Sequence, residues 1–146
     1  MANEEIEIYT DGACSGNPAP GGWGAVVVQN GIEEELSGGE ELTTNQRMEL
    51  KAALEALKAQ QEPTRVRLYS DSAYLVNAFQ QNWMRRWKVN GWKTATGKPV
   101  ENQDLWKELI TLSDKHEVTW IKVKGHSSHY YNDRCDALAR GAIPRD

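Results

Sequence analysis

The dipeptide Asn30-Gly31 lies between two runs suited to extended strands, Trp23 to Gln29 and Ile32 to Gly38. Asn-Gly supplies the two positive-φ residues of a type I′ turn, whose twist matches that of paired strands, so the pair predicts a hairpin. Ahead of it, Ile6 and Ile8 alternate within Glu5 to Thr10 and add a further strand. The stretch between, Gly12 to Gly24, mixes Gly, Pro, Asn and Ser as a tight loop does. The chain therefore opens as an antiparallel meander whose inner face some later element must cover.

The apolar period then lengthens. Thr43 and Gln46 have the spacing of a capping box, and Leu50, Leu54 and Leu57 form one stripe up to about Gln60, before Pro63 ends the helix. Arg65 to Ser70 is a strand with Val66 and Leu68 in phase. Ser72 to Gln81 is a short helix, and Gln103 to Asp114 an amphipathic one through Leu105, Leu109 and Leu112. Glu117 to Val123 is a strand, Gly125 to Tyr131 a loop, and Asn132 to Arg140 a last helix capped by Gly141. The order β-β-β-α-β-α-α-β-α predicts an α/β fold, a mixed sheet with helices packed on it, without internal repeats. The 146 residues suit a single domain spanning 1–146, which buries roughly two thirds of its unfolded surface.

A net charge of −4 taken alone argues against a nucleic-acid partner, yet its distribution reverses the argument. Ser72 to Val100 contains no Asp or Glu but has Arg85, Arg86, Lys88, Lys93 and Lys98, leaving −9 for the other residues. An acidic body with one basic segment suits a polyanion gripped in one place and a cation site in another. There is no secretory pattern at Met1 to Glu5 and no run of about 18 apolar residues, so the expectation is an unexported, cytoplasmic protein without a membrane partner. In that setting Cys14 and Cys135 are expected as free thiols.

Four carboxylates stand out. Tyr9-Thr10-Asp11 and Tyr69-Ser70-Asp71 end two strands in the same way, and if those strands run parallel and adjacent the two acids become neighbours. Ligands of open α/β sheets bind beyond the carboxyl ends of strands. Either Asp can equally be a turn residue or a helix cap, Asp71 before Ser72 above all. Glu49 shares a helix face with Ala53 and Ala56, small residues that permit close approach to a sheet; Asp136 lies one turn into the last helix beside Cys135, Ala137 and Leu138. Each can instead be an acid placed near a helix N-terminus by the macrodipole. Gathered in one crevice, four carboxylates repel one another unless cations offset the charge. Hard Mg²⁺, with oxygen ligands, fits that need, and Cys/His spacings for zinc are absent. Two such ions can activate water and stabilise a leaving oxygen, which points to metal-assisted phosphoryl transfer.

The runs Tyr9 to Pro18, Thr43 to Leu50, Ser70-Asp71-Ser72, Gly91 to Thr94, Val123 to His126 and Asn132 to Asp136 resemble, in order and over nearly the whole chain, those of type 1 ribonuclease H. The resemblance implies an RNase H-like fold, a five-stranded mixed sheet with helices on both faces. It implies an endonuclease that hydrolyses the RNA strand of RNA/DNA hybrids with two Mg²⁺, Mn²⁺ being an alternative, and leaves 5′-phosphate and 3′-hydroxyl ends. By the same resemblance Asp11, Glu49, Asp71 and Asp136 are metal ligands and His126 is an auxiliary catalytic residue. Asn17 and Asn45, with Thr44 and the backbone around Cys14 and Ser15, would contact the substrate at ribose 2′-hydroxyls, which distinguish RNA from DNA. Trp92, Thr94 and Asn102 would hold the DNA strand and its phosphate. Residues 82–99, starting with Asn82 to Gly91, resemble the basic protrusion of bacterial members, with Arg85, Arg86 and Lys88 as phosphate contacts. Trp83 and Trp87, four apart on one helix face, either join that grip or pack the protrusion onto the body.

Ala73 and Ser70 depart from the family pattern; some relatives carry a polar substrate-contacting side chain at the first, and Thr is common at the second. A non-catalytic hybrid-binding module would have no use for four convergent acids. A resolvase or integrase on the same fold should lack the Gly12 to Pro18 and Thr43 to Leu50 runs in this form. A stand-alone monomer is expected.

Overall fold

Asn30 and Gly31 both adopt positive φ, 53° and 76°, and Gln29 pairs directly with Ile32 across the turn. The computed structural model that shows this describes residues 5–124 and 130–145. Five strands, β1 (Glu5–Cys14), β2 (Ala19–Gln29), β3 (Ile32–Thr43), β4 (Arg65–Ser70) and β5 (Glu117–Lys122), form one sheet in the order β3-β2-β1-β4-β5. The first three pair antiparallel, whereas β4 runs parallel to both β1 and β5.

The meander is longer than its sequence pattern suggests. β1 continues to Cys14 and β2 begins at Ala19, so most of the glycines assigned to a loop lie inside strands. They serve close approach rather than turning. A Cβ on Gly12 would fall 2.5 Å from the Glu49 backbone nitrogen, and one on Gly22 would fall 2.2 Å from the Ala139 carbonyl oxygen. β3 likewise extends past Gly38 to Thr43.

Five helices are described: α1 (Asn45–Lys58), α2 (Ala73–Gln80), α3 (Trp83–Val89), α4 (Gln103–Lys115) and α5 (Tyr130–Gly141). The α1 cap is Thr44, whose hydroxyl accepts from the Arg47 N–H at 3.1 Å, and not Thr43, which is the last residue of β3 and is buried. α3 adds one helix to the expected order. Gly141 closes α5 as its last helical residue, without the left-handed φ of a glycine cap.

α1 lies on one face of the sheet. Leu50, Leu54 and Leu57 meet Ile6, Ile8, Ala25 and Val27 from β1 and β2, together with Val66 and Leu68 from β4. Each buried leucine contributes about 1.5–3 kcal/mol through the surface it removes from water. α5 covers the opposite face, where Tyr9, Val26 and Cys135 pack with Leu138. There the Tyr9 ring stacks between Tyr69 at 4.6 Å and Tyr131 at 4.5 Å. Cys14 and Cys135 are free thiols. Among the described residues no helix is long and apolar enough to cross a membrane.

Candidate active site

Parallel pairing of β1 with β4 aligns Tyr9 with Tyr69, so the two residues that follow on each strand end with Asp11 beside Asp71. Asp71 is not a helix cap. Ser72 takes that part, its hydroxyl accepting from the Leu75 N–H at 3.1 Å, which leaves the Asp71 carboxylate to face its neighbour. Two glycines bring in the helices. The α1 backbone at Met48 and Glu49 rests where a Gly12 Cβ would be, and this carries Glu49 to Asp11. Gly24, directly opposite Asp11 on β2, lies equally close to the α5 backbone at Cys135 and Ala139, which carries Asp136.

One carboxylate oxygen from each of Asp11, Glu49 and Asp71 lies within 4.8 Å of the other two, and Asp11 and Glu49 are buried. Burial, then the charge of Asp71 and to a lesser degree that of Asp136, pushes the Asp11 carboxyl up to about 7, although its Oδ1 accepts from the Gly12 N–H at 2.9 Å. Burial, followed by the charges of Asp11 and Asp71, holds Glu49 well above the usual carboxylate range. The Glu49 Oε1 atom is buried with no hydrogen-bond partner. A buried acceptor without a donor, beside two more carboxylates, suits a hard divalent cation with oxygen ligands. Asp136 stands apart from this tight group: it is half-exposed and pairs with Arg140 at 3.1 Å.

Four of the residues expected at the substrate, Asn17, Thr44, Asn45 and Asn102, gather in one cleft. Asn17 accepts through Oδ1 from the Asn45 N–H at 2.9 Å, tying the β1–β2 turn to the first residue of α1. Together with Thr44, Gln46, Glu101 and Asn102 these line an open cleft of about 640 Å³. Within the β1–β2 turn, both the backbone N–H and the hydroxyl of Ser15 donate to the Pro20 carbonyl, at 2.9 and 3.0 Å, and the Cys14 thiol lies 3.4 Å from the Ala19 carbonyl. Asn102 holds a left-handed conformation (φ 62°); its Oδ1 accepts from Arg47 and its Nδ2 donates to the Tyr74 hydroxyl. Arg47 is itself fixed by two hydrogen bonds to Asp104, at 3.0 and 2.7 Å.

Trp92 and Thr94 belong to the basic arm. Arg85, Arg86 and Lys88 are exposed on α3, while the half-buried Trp83 and Trp87 pack against the core and Trp87 lies 5.3 Å from Trp106. Both indoles thus anchor the arm to the body. Trp92 is half-buried beside Trp87 with the Lys107 ammonium 5.0 Å from its ring centre, and Thr94 is exposed in a turn closed by its N–H donating to Lys98. His126 lies outside the described residues.

Arg47, Tyr74 and Arg140 were not among the expected site residues. Arg47 falls within the Thr43 to Leu50 run, and Arg140 follows Asp136 at the i+4 spacing of helical ion pairs, which is a signal legible in the chain.

The RNase H family model matches residues 3–143. A ribonuclease H of Moorella thermoacetica is 62% identical over 140 residues, covering 96% of this chain and 92% of that protein. A ribonuclease H of Caldanaerobacter subterraneus subsp. tengcongensis is 59% identical over 143 residues, covering 98% of this chain and 94% of its own length. The solved structure of LC9-RNase H1, a type 1 RNase H with the type 2 active-site motif, superposes with a TM-score of 0.85 at 31% identity, over 98% of this chain and 74% of that one.

Proposed function

Because the chain belongs to the RNase H family, we propose that it is a single-domain ribonuclease H which hydrolyses the RNA strand of RNA/DNA hybrids at a carboxylate site holding two divalent cations. The observation that carries the assignment of the site is Glu49, whose buried Oε1 has no hydrogen-bond partner and whose carboxylate comes within 4.8 Å of those of Asp11 and Asp71. Asp11, Glu49, Asp71 and, from the adjoining helix, Asp136 would hold the ions, with Mg²⁺ preferred and Mn²⁺ as the alternative. When bound, such ions supply an activated water and charge stabilisation for the leaving oxygen.

The remaining work falls to side chains of the chain. Asn17, Thr44, Asn45 and Asn102, held in place by the Asn45 N–H, Arg47 and Tyr74, present neutral donors and acceptors along the cleft, chemistry suited to ribose hydroxyls and to phosphate oxygens. Cys14 and Ser15 fix the turn that carries Asn17. Arg85, Arg86 and Lys88 add charge at a distance, with Trp92 and Thr94 closing the root of the arm. His126 passes a proton near the reacting phosphate. Cleavage then leaves a 5′-phosphate and a 3′-hydroxyl, and the protein acts in the cytoplasm as a monomer.

Incubation with Mg²⁺ and a labelled RNA/DNA hybrid, beside duplex DNA and duplex RNA, tests the assignment. RNA-strand cleavage confined to the hybrid, with those termini, is expected. A hybrid left intact, or DNA cut equally well, overturns it.

A further inference from the structure

Asp136 is already engaged by a cation of the protein itself. Arg140, one turn further along α5, places its Nε 3.2 Å from Oδ1 and 3.1 Å from Oδ2 of Asp136. One donor thus straddles both oxygens and covers the edge of the carboxylate at which an ion would be chelated. Among the described residues, no Lys or Arg pairs in this way with Asp11, Glu49 or Asp71. Among the described residues the four acids are therefore unequal: three face one another without a Lys or Arg partner, and the fourth carries a counter-ion.

We propose that Arg140 is a built-in competitor for the divalent cation at Asp136, a positioning residue that weakens ion binding on that side of the site and offsets the Asp136 charge in the metal-free protein. This rests on Asp136 being a metal ligand, as assigned above. The Arg140 side chain is 72% exposed, so the guanidinium can swing into water when an ion arrives, and its release costs little. Because the pair lies at the surface, its hold on Asp136 is modest and weakens with added salt.

The test is calorimetric titration of the full chain with Mg²⁺ alone, without nucleic acid, for the wild type, Arg140→Gln, Asp136→Asn and the double variant. In low salt Arg140→Gln should bind Mg²⁺ roughly two- to fivefold more tightly, the upper range for an exposed ion pair, and the gain should shrink as NaCl is added. In the Asp136→Asn background the same substitution should change the affinity little. Thermal melts give a second readout: Arg140→Gln should melt lower than wild type without metal, and saturating Mg²⁺ should close the gap. An unchanged affinity for Arg140→Gln overturns the proposal while leaving the site assignment intact. Equal tightening with and without Asp136 also overturns it, because the effect is then one of overall charge. A wild type that takes up no Mg²⁺ at all overturns the assignment of the site, and the competitor with it.

Discussion

Gly24 stands directly across the β1–β2 ladder from Asp11, and a Cβ there would lie 2.6 Å from the Cys135 carbonyl oxygen. The backbone of α5 thus occupies the space of a missing side chain, one residue before Asp136. Gly12, the residue after Asp11, does the same for α1 and Glu49. The acid cluster is assembled by backbone contact on opposite faces of two adjacent strands, β1 and β2, so its geometry depends on the sheet.

Asp71→Asn changes almost no volume but removes one charge from the cluster. Cleavage of a hybrid with Mg²⁺ should fall to near background while the circular dichroism spectrum stays that of the wild type. Asp71 is the largest source of charge acting on Asp11, so the metal-free variant should melt at a higher temperature than the wild type. Appreciable Mg²⁺-dependent turnover by Asp71→Asn would refute the ligand assignment.

The raised Asp11 carboxyl, at about 7, has a consequence for stability. An acid whose pKa is about 4 in the unfolded chain and higher in the folded one binds its proton more tightly when folded. Its protonation therefore favours folding, and the metal-free protein should lose stability as pH rises from about 4 to about 7, with the loss complete above that. Asp11→Asn should flatten this part of the stability profile, and saturating Mg²⁺ should do so in the wild type by favouring the ionised cluster. Denaturant midpoints across this range decide the matter; parallel profiles for the two proteins would sink the argument.

Much of this site was legible in the chain because the signals were local. The Asn30-Gly31 turn, the Leu50, Leu54 and Leu57 stripe and the matching strand ends at Asp11 and Asp71 each depend on neighbours in sequence. What escaped was set by packing between segments distant in sequence. The glycines from Gly12 to Gly24 looked like a loop because nothing nearby reveals that α1 and α5 press on them. Thr43 and Thr44 are adjacent and equally able to cap, and only the length of β3 decides between them. The role of Arg47, bridging Asn102 and Asp104, spans more than fifty positions.

The arm should supply affinity and little chemistry, since Arg85, Arg86 and Lys88 are exposed on a helix fastened by Trp83 and Trp87. Replacing all three by alanine should raise KM, spare kcat and flatten the salt dependence of hybrid binding. Each phosphate that the arm no longer neutralises takes about 0.9 from the slope of log K against log salt for a B-form duplex. Filter binding over a range of NaCl concentrations measures that slope, and an unaltered value shows that the arm does not meet phosphate.

The three histidines should divide into one structural and one catalytic residue, with the third as a control. His116 is buried at the end of α4, where its Nδ1 accepts from the Thr64 N–H at 3.0 Å and burial lowers its pKa, so it serves the fold. His126 lies between β5 and α5, ten positions before Asp136, in a glycine-flanked stretch whose match to the family suggests catalysis. An imidazole with an ordinary pKa near 6.5 can hand a proton to a leaving oxygen at neutral pH. His126→Ala should therefore lower kcat by roughly 10²-fold with KM nearly unchanged, a smaller loss than that of Asp71→Asn. His129→Ala should stay close to wild type. Steady-state kinetics on a hybrid substrate separate the cases: full activity in His126→Ala, or weakened hybrid binding alongside the lost rate, removes His126 from the proton-transfer role.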